Sequence, residues 1–235
     1  MMSQDLLASG LVWYAVFLLS LTCHEAAHAL AAKWGGDSTA ARGGQASLNP
    51  VPHIRREPFG TVVVPLVSFL LGGWMIGWGS APYDPLWQQR HPRRAAWMAL
   101  AGPLANVGLL LLAVAGIYLG LFAGILSQPT TARFTRVVAG TGPGFATGLA
   151  FFLSILFSLN LLLATFNLLP IPPLDGNTAV GLLLPEDGAR RFARFSHNPT
   201  FALIGLIVGW KICGYIFHPM FGWALGLLYP GTYYR

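Results

Sequence analysis

The chain has 235 residues, of which 54% are hydrophobic and only 9% are charged, and its mean hydropathy is +0.58. A soluble domain carries about 25% charged residues because its surface faces water. This composition therefore excludes an ordinary soluble protein, a disordered protein and a coiled coil. Apolar runs of about 20 residues indicate membrane-spanning helices, and we expect roughly four to six of them in one all-α membrane domain over residues 1–235.

The positive charge of the chain lies mostly in short loops between the apolar runs. The net charge is +6, and most of the fourteen basic residues are arginines. In a membrane protein such residues set the topology and contact anionic lipid headgroups. We expect a headgroup-binding surface stretch at residues 189–195 and no nucleic-acid partner.

The predicted elements follow one another as a bundle of spans with one irregular insertion. The first helix covers residues 6–32, and the turn-rich residues 33–58 form a loop or short hairpin at the membrane surface. The apolar residues 59–80 are interrupted by Pro65 and Gly72-Gly73. The remaining predictions are a loop at 81–94, a helix at 95–124, a loop at 125–144, a helix at 145–169, a basic segment at 185–198, and C-terminal spans within 199–229. In that last region, 199–217 crosses and 220–229 is too short to cross.

The distribution of lysine and arginine tests whether residues 59–80 cross the membrane. If they cross, the basic residues divide six to six between the two sides. If they form a re-entrant hairpin that turns at Gly72-Gly73, ten lie on one side and only Arg133 and Arg136 on the other. Because cytoplasmic loops carry an excess of lysine and arginine, the sequence favours the hairpin, with its basic face cytoplasmic and the N-terminus outside.

The first helix contains the sequence His24-Glu25-Ala26-Ala27-His28. Histidines at positions i and i+4 of a helix lie one turn apart on the same side, which suits two nitrogens that bind one zinc ion. Glu25, next to a ligand, can accept a proton from a water molecule there. Three ionisable groups inside an apolar helix are costly and mark a functional site, so we favour this interpretation over chance occurrence.

A catalytic zinc ion needs a third protein ligand and an open position for water. Asp175 is the best candidate among the eight acidic residues, because it follows a long apolar helix directly and the others outside the motif lie near a terminus or in loops. Prolines at 170, 172 and 173 end that helix, and Gly176 frees the next turn. In the hairpin topology, Asp175 and the histidine pair lie at the same cytoplasmic level.

Further segments extend the pattern along residues 24–176. Leu48-Asn49-Pro50 is followed by His53, residues 101–106 read Ala-Gly-Pro-Leu-Ala-Asn, and residues 166–170 read Phe-Asn-Leu-Leu-Pro before Leu174-Asp175-Gly176. With the His24–His28 motif, these segments resemble, in order and content, the site-2 protease family of intramembrane zinc metalloproteases. The likeness is to short members without PDZ or CBS domains, so we expect the membrane core or partners to select the substrate.

The resemblance implies three core helices, within residues 6–176, around one zinc ion. Its ligands would be His24, His28 and Asp175, its base Glu25, and Asn167 would help to polarise the scissile carbonyl. Asn49, His53 and Asn106 are candidates for substrate binding or for support of the ligands. Two of these have alternatives: Asn106 is equally well explained by close helix packing with a satisfied amide, and His53 by a position in a surface loop.

The function predicted from the sequence is an intramembrane zinc endopeptidase. Its substrate would be a single-span or signal-peptide-like membrane protein, and its location the inner membrane of a bacterial or archaeal cell, with the active site near the cytoplasmic side. The alternatives are a non-enzymatic membrane protein that handles zinc and an inactive relative that acts as an adaptor. Assembly into a homo-oligomer stays open.

Overall fold

Helices form most of the chain in the computed structural model, which describes residues 4–196, 199–232 and 234. In chain order the α-helices are α1 (Gln4–Trp34), α2 (Thr39–Arg42), α3 (Pro50–Arg56), α4 (Val64–Gly72), α5 (Pro85–Arg90), α6 (Pro92–Phe122), α7 (Phe145–Asn167), α8 (Asp175–Ala179), α9 (Glu186–Ser196) and α10 (Pro199–Leu228). A π-helical turn (Phe59–Val63) precedes α4, and a 3₁₀ turn (Val180–Leu182) follows α8. The prediction of an all-α protein is confirmed.

Four of the helices, α1, α6, α7 and α10, are long and apolar enough to cross a membrane. Central helix α6 packs against both α1 and α7, and α10 packs against α7. The largest apolar cluster lies between these helices, with Val16, Ile117, Ile155 and Phe157 at most 1% exposed. These four helices are the spans of an integral membrane protein.

The bundle has two ends, named here after the last residues of α1 and α6. At the Trp34 end, the indole nitrogen of Trp87 donates to the Gly35 carbonyl at 3.0 Å. At the Phe122 end, Tyr229 donates to the Val137 carbonyl at 3.0 Å. Each of α1, α6 and α7 crosses the bundle once, in alternating directions. Helices α1 and α7 therefore end at the Trp34 end, and α6 begins there.

Residues 59–80 fold back on themselves and form the predicted re-entrant hairpin. Helix α4 ends at Gly72, and the next residue, Gly73, has the left-handed φ of 74° that glycine adopts without strain. The chain then returns without helical structure, and the Trp78 amide donates to the Gly60 carbonyl at 3.1 Å. A Cβ on Gly77 would overlap that same carbonyl. The two ends of the hairpin therefore meet at the Trp34 end, and the segment does not cross as a single span.

Two regions differ from the prediction: residues 33–58 contain short helices, and the C-terminal region is one long helix. Residues 33–58 contain α2 and α3 rather than a hairpin. In the part of the chain that the structure describes, the strands are β1 (Leu126–Ser127) and β2 (Ala139–Gly140), an antiparallel pair at the Phe122 end. The separation of 199–217 from 220–229 is wrong, because α10 continues through Pro219. Proline is tolerated inside membrane helices, where neighbouring groups satisfy the freed backbone carbonyl.

The helix ends also differ by a few residues from those predicted. Helix α6 begins at Pro92 instead of residue 95. Proline is well suited to the first turn of a helix, because the backbone amides there have no hydrogen-bond partner within the helix. Helix α7 ends at Asn167 instead of residue 169, because the prolines that follow disfavour helical backbone before them. The last residues of the predicted basic segment, 197 and 198, lie outside the described residues.

The hairpin makes a testable prediction about topology. In a protein with Cys23 and Cys213 replaced by alanine, cysteines introduced at the exposed positions Arg55 and Gln89 should react with a membrane-impermeant maleimide from the same face of sealed vesicles. A cysteine at the exposed Thr131 should react from the other face, because the reagent does not pass the hydrocarbon layer. Labelling of positions 55 and 89 from opposite faces would show that residues 59–80 cross.

Candidate metal centre

The two histidines of the first span point at one another from successive turns of α1. His24 Nε2 lies 3.0 Å from His28 Nε2, and both side chains are buried, with 6% of each residue exposed. This is the arrangement expected from their spacing of four residues. The two nitrogens face inward, towards α6 and the segment that follows α7.

The outer ring nitrogens determine which tautomer each histidine adopts. His28 Nδ1 lies 2.8 Å from the Met98 carbonyl, which can only accept a hydrogen bond, so Nδ1 carries the proton. His24 Nδ1 lies 2.6 Å from Asn106 Oδ1, and the amide nitrogen of Asn106 already donates to Asn160. In its neutral form, each ring with the proton on Nδ1 presents an Nε2 lone pair to the same point, as metal-binding histidines do.

Asp175 adds a carboxylate to the same point from the start of α8. Its Oδ2 lies 3.1 Å from His24 Nε2, and its Oδ1 lies 3.3 Å from His28 Nε2. A Cβ on Gly176 would overlap the Leu168 carbonyl, so only glycine permits the turn that brings Asp175 back beside α7. The predicted ligands His24, His28 and Asp175 thus converge, with one donor atom from each within 4.8 Å of the others.

The chemistry of these donor atoms fits a bound zinc ion. Zinc at bonds of about 2.0–2.1 Å holds tetrahedral ligand atoms roughly 3.3 Å apart, close to the 3.0–3.3 Å separations found here. Within the described part of the chain, Asp175 Oδ2 is buried without a hydrogen-bond partner. Two lone pairs and a carboxylate repel one another unless a cation lies between them. A Cβ on Gly102 of α6 would fill this space and overlap His28 Nε2.

A network of buried amides supports His24 from the interior of the bundle. Asn106 of α6 accepts from His24 and donates to Asn160 Oδ1 at 2.8 Å. Asn160 of α7 donates to Ser20 Oγ at 2.9 Å and to the Leu156 carbonyl at 2.8 Å. Asn106 is one of the residues predicted from the sequence, whereas Asn160 and Ser20 are not. The signal for Asn160 was available, because an amide in the middle of an apolar span needs a partner.

Glu25 lies beside the cluster under the return segment of the hairpin. Only 6% of the residue is exposed, and a Cβ on Gly79 would lie 2.8 Å from Glu25 Cγ and 3.0 Å from its Oε1. The next residue, Ser80, donates to Glu57 at 2.6 Å, and its carbonyl accepts from Gln45 at 2.7 Å. These bonds fix the backbone of the hairpin close to the Glu25 carboxylate.

The other three candidate residues have local hydrogen bonds. Asn167, at the last turn of α7, donates to the Leu163 carbonyl at 3.0 Å. Asn49 is exposed and caps α3, accepting from the Val51 amide at 3.0 Å. His53 is 2% exposed rather than at the surface of a loop, and its Nε2 lies 3.2 Å from the Ser47 carbonyl. Their predicted roles towards a substrate stay predictions.

A pair of histidines one turn apart, a third carboxylate ligand and an adjacent glutamate are the parts of a metallopeptidase centre. Comparison with known proteins identifies the family. The family model "Peptidase family M50" matches residues 12–209, so the chain belongs to this family, the site-2 protease family that the sequence resembles.

Relatives with related names occur in several bacteria. "Putative zinc metalloprotease YwhC" of Bacillus subtilis is 31% identical over 204 residues, which are 86% of this chain and 82% of the relative. "Putative zinc metalloprotease Rip2" of Mycobacterium tuberculosis is 32% identical over 215 residues, which are 92% of this chain and 70% of the relative. No solved structure matches the chain. The family and these names support a zinc metalloprotease role.

The contact between Asn106 and His24 leads to a prediction about metal affinity. Replacing Asn106 with alanine removes the acceptor for the His24 Nδ1 proton, so the ring loses the bond that orients it. Loss of such a supporting bond typically weakens metal binding about 10–100-fold, and a competition titration of the purified protein with a chromophoric zinc chelator would measure it. Gly108→Ala is the control, because a Cβ there meets nothing within 4 Å. Equal affinities of the two variants would contradict a role for Asn106.

Proposed function

We propose that this chain is an intramembrane zinc endopeptidase that hydrolyses a peptide bond within or near a membrane-spanning segment of another protein. The observation that carries the proposal is the convergence of His24, His28 and Asp175 inside a bundle of spans, with Glu25 directly after the first ligand. A centre buried among spans is reached most directly by a substrate that is itself in the membrane.

Peptide hydrolysis at this site needs a Lewis acid, which a metal ion would supply, and a proton acceptor, which is Glu25. When bound by His24, His28 and Asp175, zinc would supply Lewis acidity towards water and the scissile carbonyl. Glu25 accepts a proton from the attacking water, whose oxygen forms the new bond to the carbonyl carbon, and then gives the proton to the leaving amine as the C–N bond breaks. Hydrogen bonds from the two histidine Nδ1 atoms to Asn106 Oδ1 and the Met98 carbonyl keep the rings in the tautomer that binds metal.

The substrate must be locally extended, because a helix hides its carbonyls in its own hydrogen bonds. The return segment of the hairpin and the residues directly after it, 75–84, have no helical hydrogen bonding, and Gly79 lies against Glu25. An extended substrate segment could pair with this backbone as an added strand. This arrangement would present the scissile bond beside the carboxylate of Glu25.

The charge of the two ends supports an orientation. The loops and short helices of the Trp34 end carry most of the basic residues, and the Phe122 end carries Arg133 and Arg136. By the positive-inside rule the Trp34 end, where Asp175 and the histidines lie, faces the cytoplasm. The named relatives are bacterial, which supports a location in the bacterial inner membrane. Helix α9, with exposed Arg190 and Arg191, would lie against anionic headgroups on that side.

The first prediction from this proposal concerns Glu25. Wild type and Glu25→Gln are co-expressed with epitope-tagged single-span proteins, and zinc content is measured in the purified enzymes. We expect the glutamine variant to retain stoichiometric zinc but to cut roughly 10²–10⁴-fold more slowly, because the amide cannot accept the proton. If the wild type binds zinc and cuts none of the proteins, the zinc-handling alternative gains. If His24→Ala leaves the zinc content unchanged, the ligand assignment is wrong.

The second prediction concerns the substrate. A proline placed in the cleaved region of a substrate span lowers the cost of unwinding the helix there, so cleavage should accelerate if unwinding limits the rate. Initial rates for the proline substrate and for an alanine substrate at the same position provide the measurement. An equal rate for the two would contradict unwinding as the slow step.

A further inference from the structure

Helix α10 touches the segment that carries Asp175 through two glycines. At Gly205 an added Cβ would overlap the Pro172 carbonyl oxygen and lie 3.1 Å from Ile171 Cγ2. At Gly209 it would lie 3.2 Å from Leu174 Cδ1. Because these glycines are four residues apart, they lie on the same face of α10. The helix backbone therefore packs directly against residues 171–174, the last residues before Asp175.

Contacts within the segment and with the residues directly after α7 also hold it in place. The Ile171 amide donates to the Leu169 carbonyl at 2.8 Å, and the Leu174 amide donates to the Ile171 carbonyl at 2.9 Å. Gly176 is packed against Leu168, which leaves no room for a side chain. Leu169 and Leu174 form a buried cluster with Cys213 of α10. Asp175 thus extends from a segment held between two helices.

The position of α10 is set by aromatic contacts to both halves of the site. The ring of Trp210 stacks on Trp74 at the tip of the hairpin, with ring centroids 5.8 Å apart. Trp210 also meets Phe166 of α7 edge-on at 5.9 Å. The face that presents Gly205 and Gly209 is therefore held at a fixed distance from the Asp175 segment.

We infer that Gly205 and Gly209 of α10 are positioning residues that set the placement of the Asp175 carboxylate relative to His24 and His28. The carboxylate oxygens are within 3.1–3.3 Å of the histidine nitrogens, and a ligand site tolerates displacements of only about 0.5 Å. A side chain at position 205 must push residues 171–172, and Asp175 with them, away from α10. This inference deepens the proposed function and rests on it, since it assumes that these three residues bind zinc.

The test compares glycines of one helix in the purified full-length protein. Gly205→Ala and Gly205→Leu are paired with Gly222→Ala and Gly222→Leu, because position 222 is exposed and a Cβ there meets nothing within 4 Å. Both pairs change the same residue type inside α10, so effects on helix propensity are matched. The readouts are zinc affinity by chelator competition, the visible absorption spectrum with cobalt in place of zinc, and the thermal unfolding of the metal-free protein.

We expect the zinc dissociation constant to rise about 10–100-fold in Gly205→Leu, as for loss of other groups that orient a ligand, and less in Gly205→Ala. The cobalt spectrum should change in both, and saturating zinc should restore activity at least in part. The Gly222 variants should resemble the wild type. Metal-free unfolding temperatures should fall no further for Gly205→Ala than for Gly222→Ala.

Three outcomes would overturn the inference, and each differs from failure of the proposed function. The first is unchanged zinc affinity and an unchanged cobalt spectrum in Gly205→Leu. The second is equal effects at positions 205 and 222, and the third is a loss of affinity that only follows lower metal-free stability in both Gly205 variants. If the wild type binds zinc but cuts no substrate, the proposed function fails while the affinities still decide the inference. A wild type that binds no zinc overturns both.

Discussion

Inside the bundle, the Nε2 atoms of two imidazoles and the oxygens of a carboxylate lie about 3 Å from one another. The surrounding structure holds them in this arrangement. Removing one partner from a buried charge cluster typically costs a few kcal/mol, so such a group persists only where a cation or hydrogen bonds compensate. Here the outer nitrogens are satisfied by Met98 and Asn106, and the inner atoms have only one another. A metal cation between these inner atoms would compensate the carboxylate and the lone pairs together.

Glycines, which have no side chain, shape the site as much as the residues whose side chains form it. Gly102 allows α6 to approach the histidine nitrogens, Gly79 allows the hairpin to cover Glu25, and Gly176 allows Asp175 to turn back towards α7. Gly205 lets the last span press on the same segment. In a membrane, where lipid is as apolar as leucine, close backbone approach through small residues is a main source of helix packing. The protein uses that packing to fix ligands as well as helices.

The irregular backbone is placed where the site needs it. The hairpin at residues 59–80 and the proline-rich segment at 170–174 are non-helical in part, and each is covered by spans: the hairpin by α1, the proline segment by α10. Buried backbone of this kind is tolerated at membrane depth only when protein or a water-filled cavity covers it. Both elements carry or cover a carboxylate of the candidate site, Asp175 in one case and Glu25 in the other.

The sequence by itself determined three of the spans, the histidine pair and the candidate third ligand, because apolar length, helical spacing and the small number of acidic residues are read directly from it. It also predicted the folded-back hairpin from the distribution of basic residues. Only the tertiary structure decided the support around the ligands. Asn160 and Ser20 join Asn106 across three helices, His53 turns out to be buried, and Gly205 meets Pro172. Such contacts link residues tens of positions apart, and helix packing, which no local pattern encodes, brings them together.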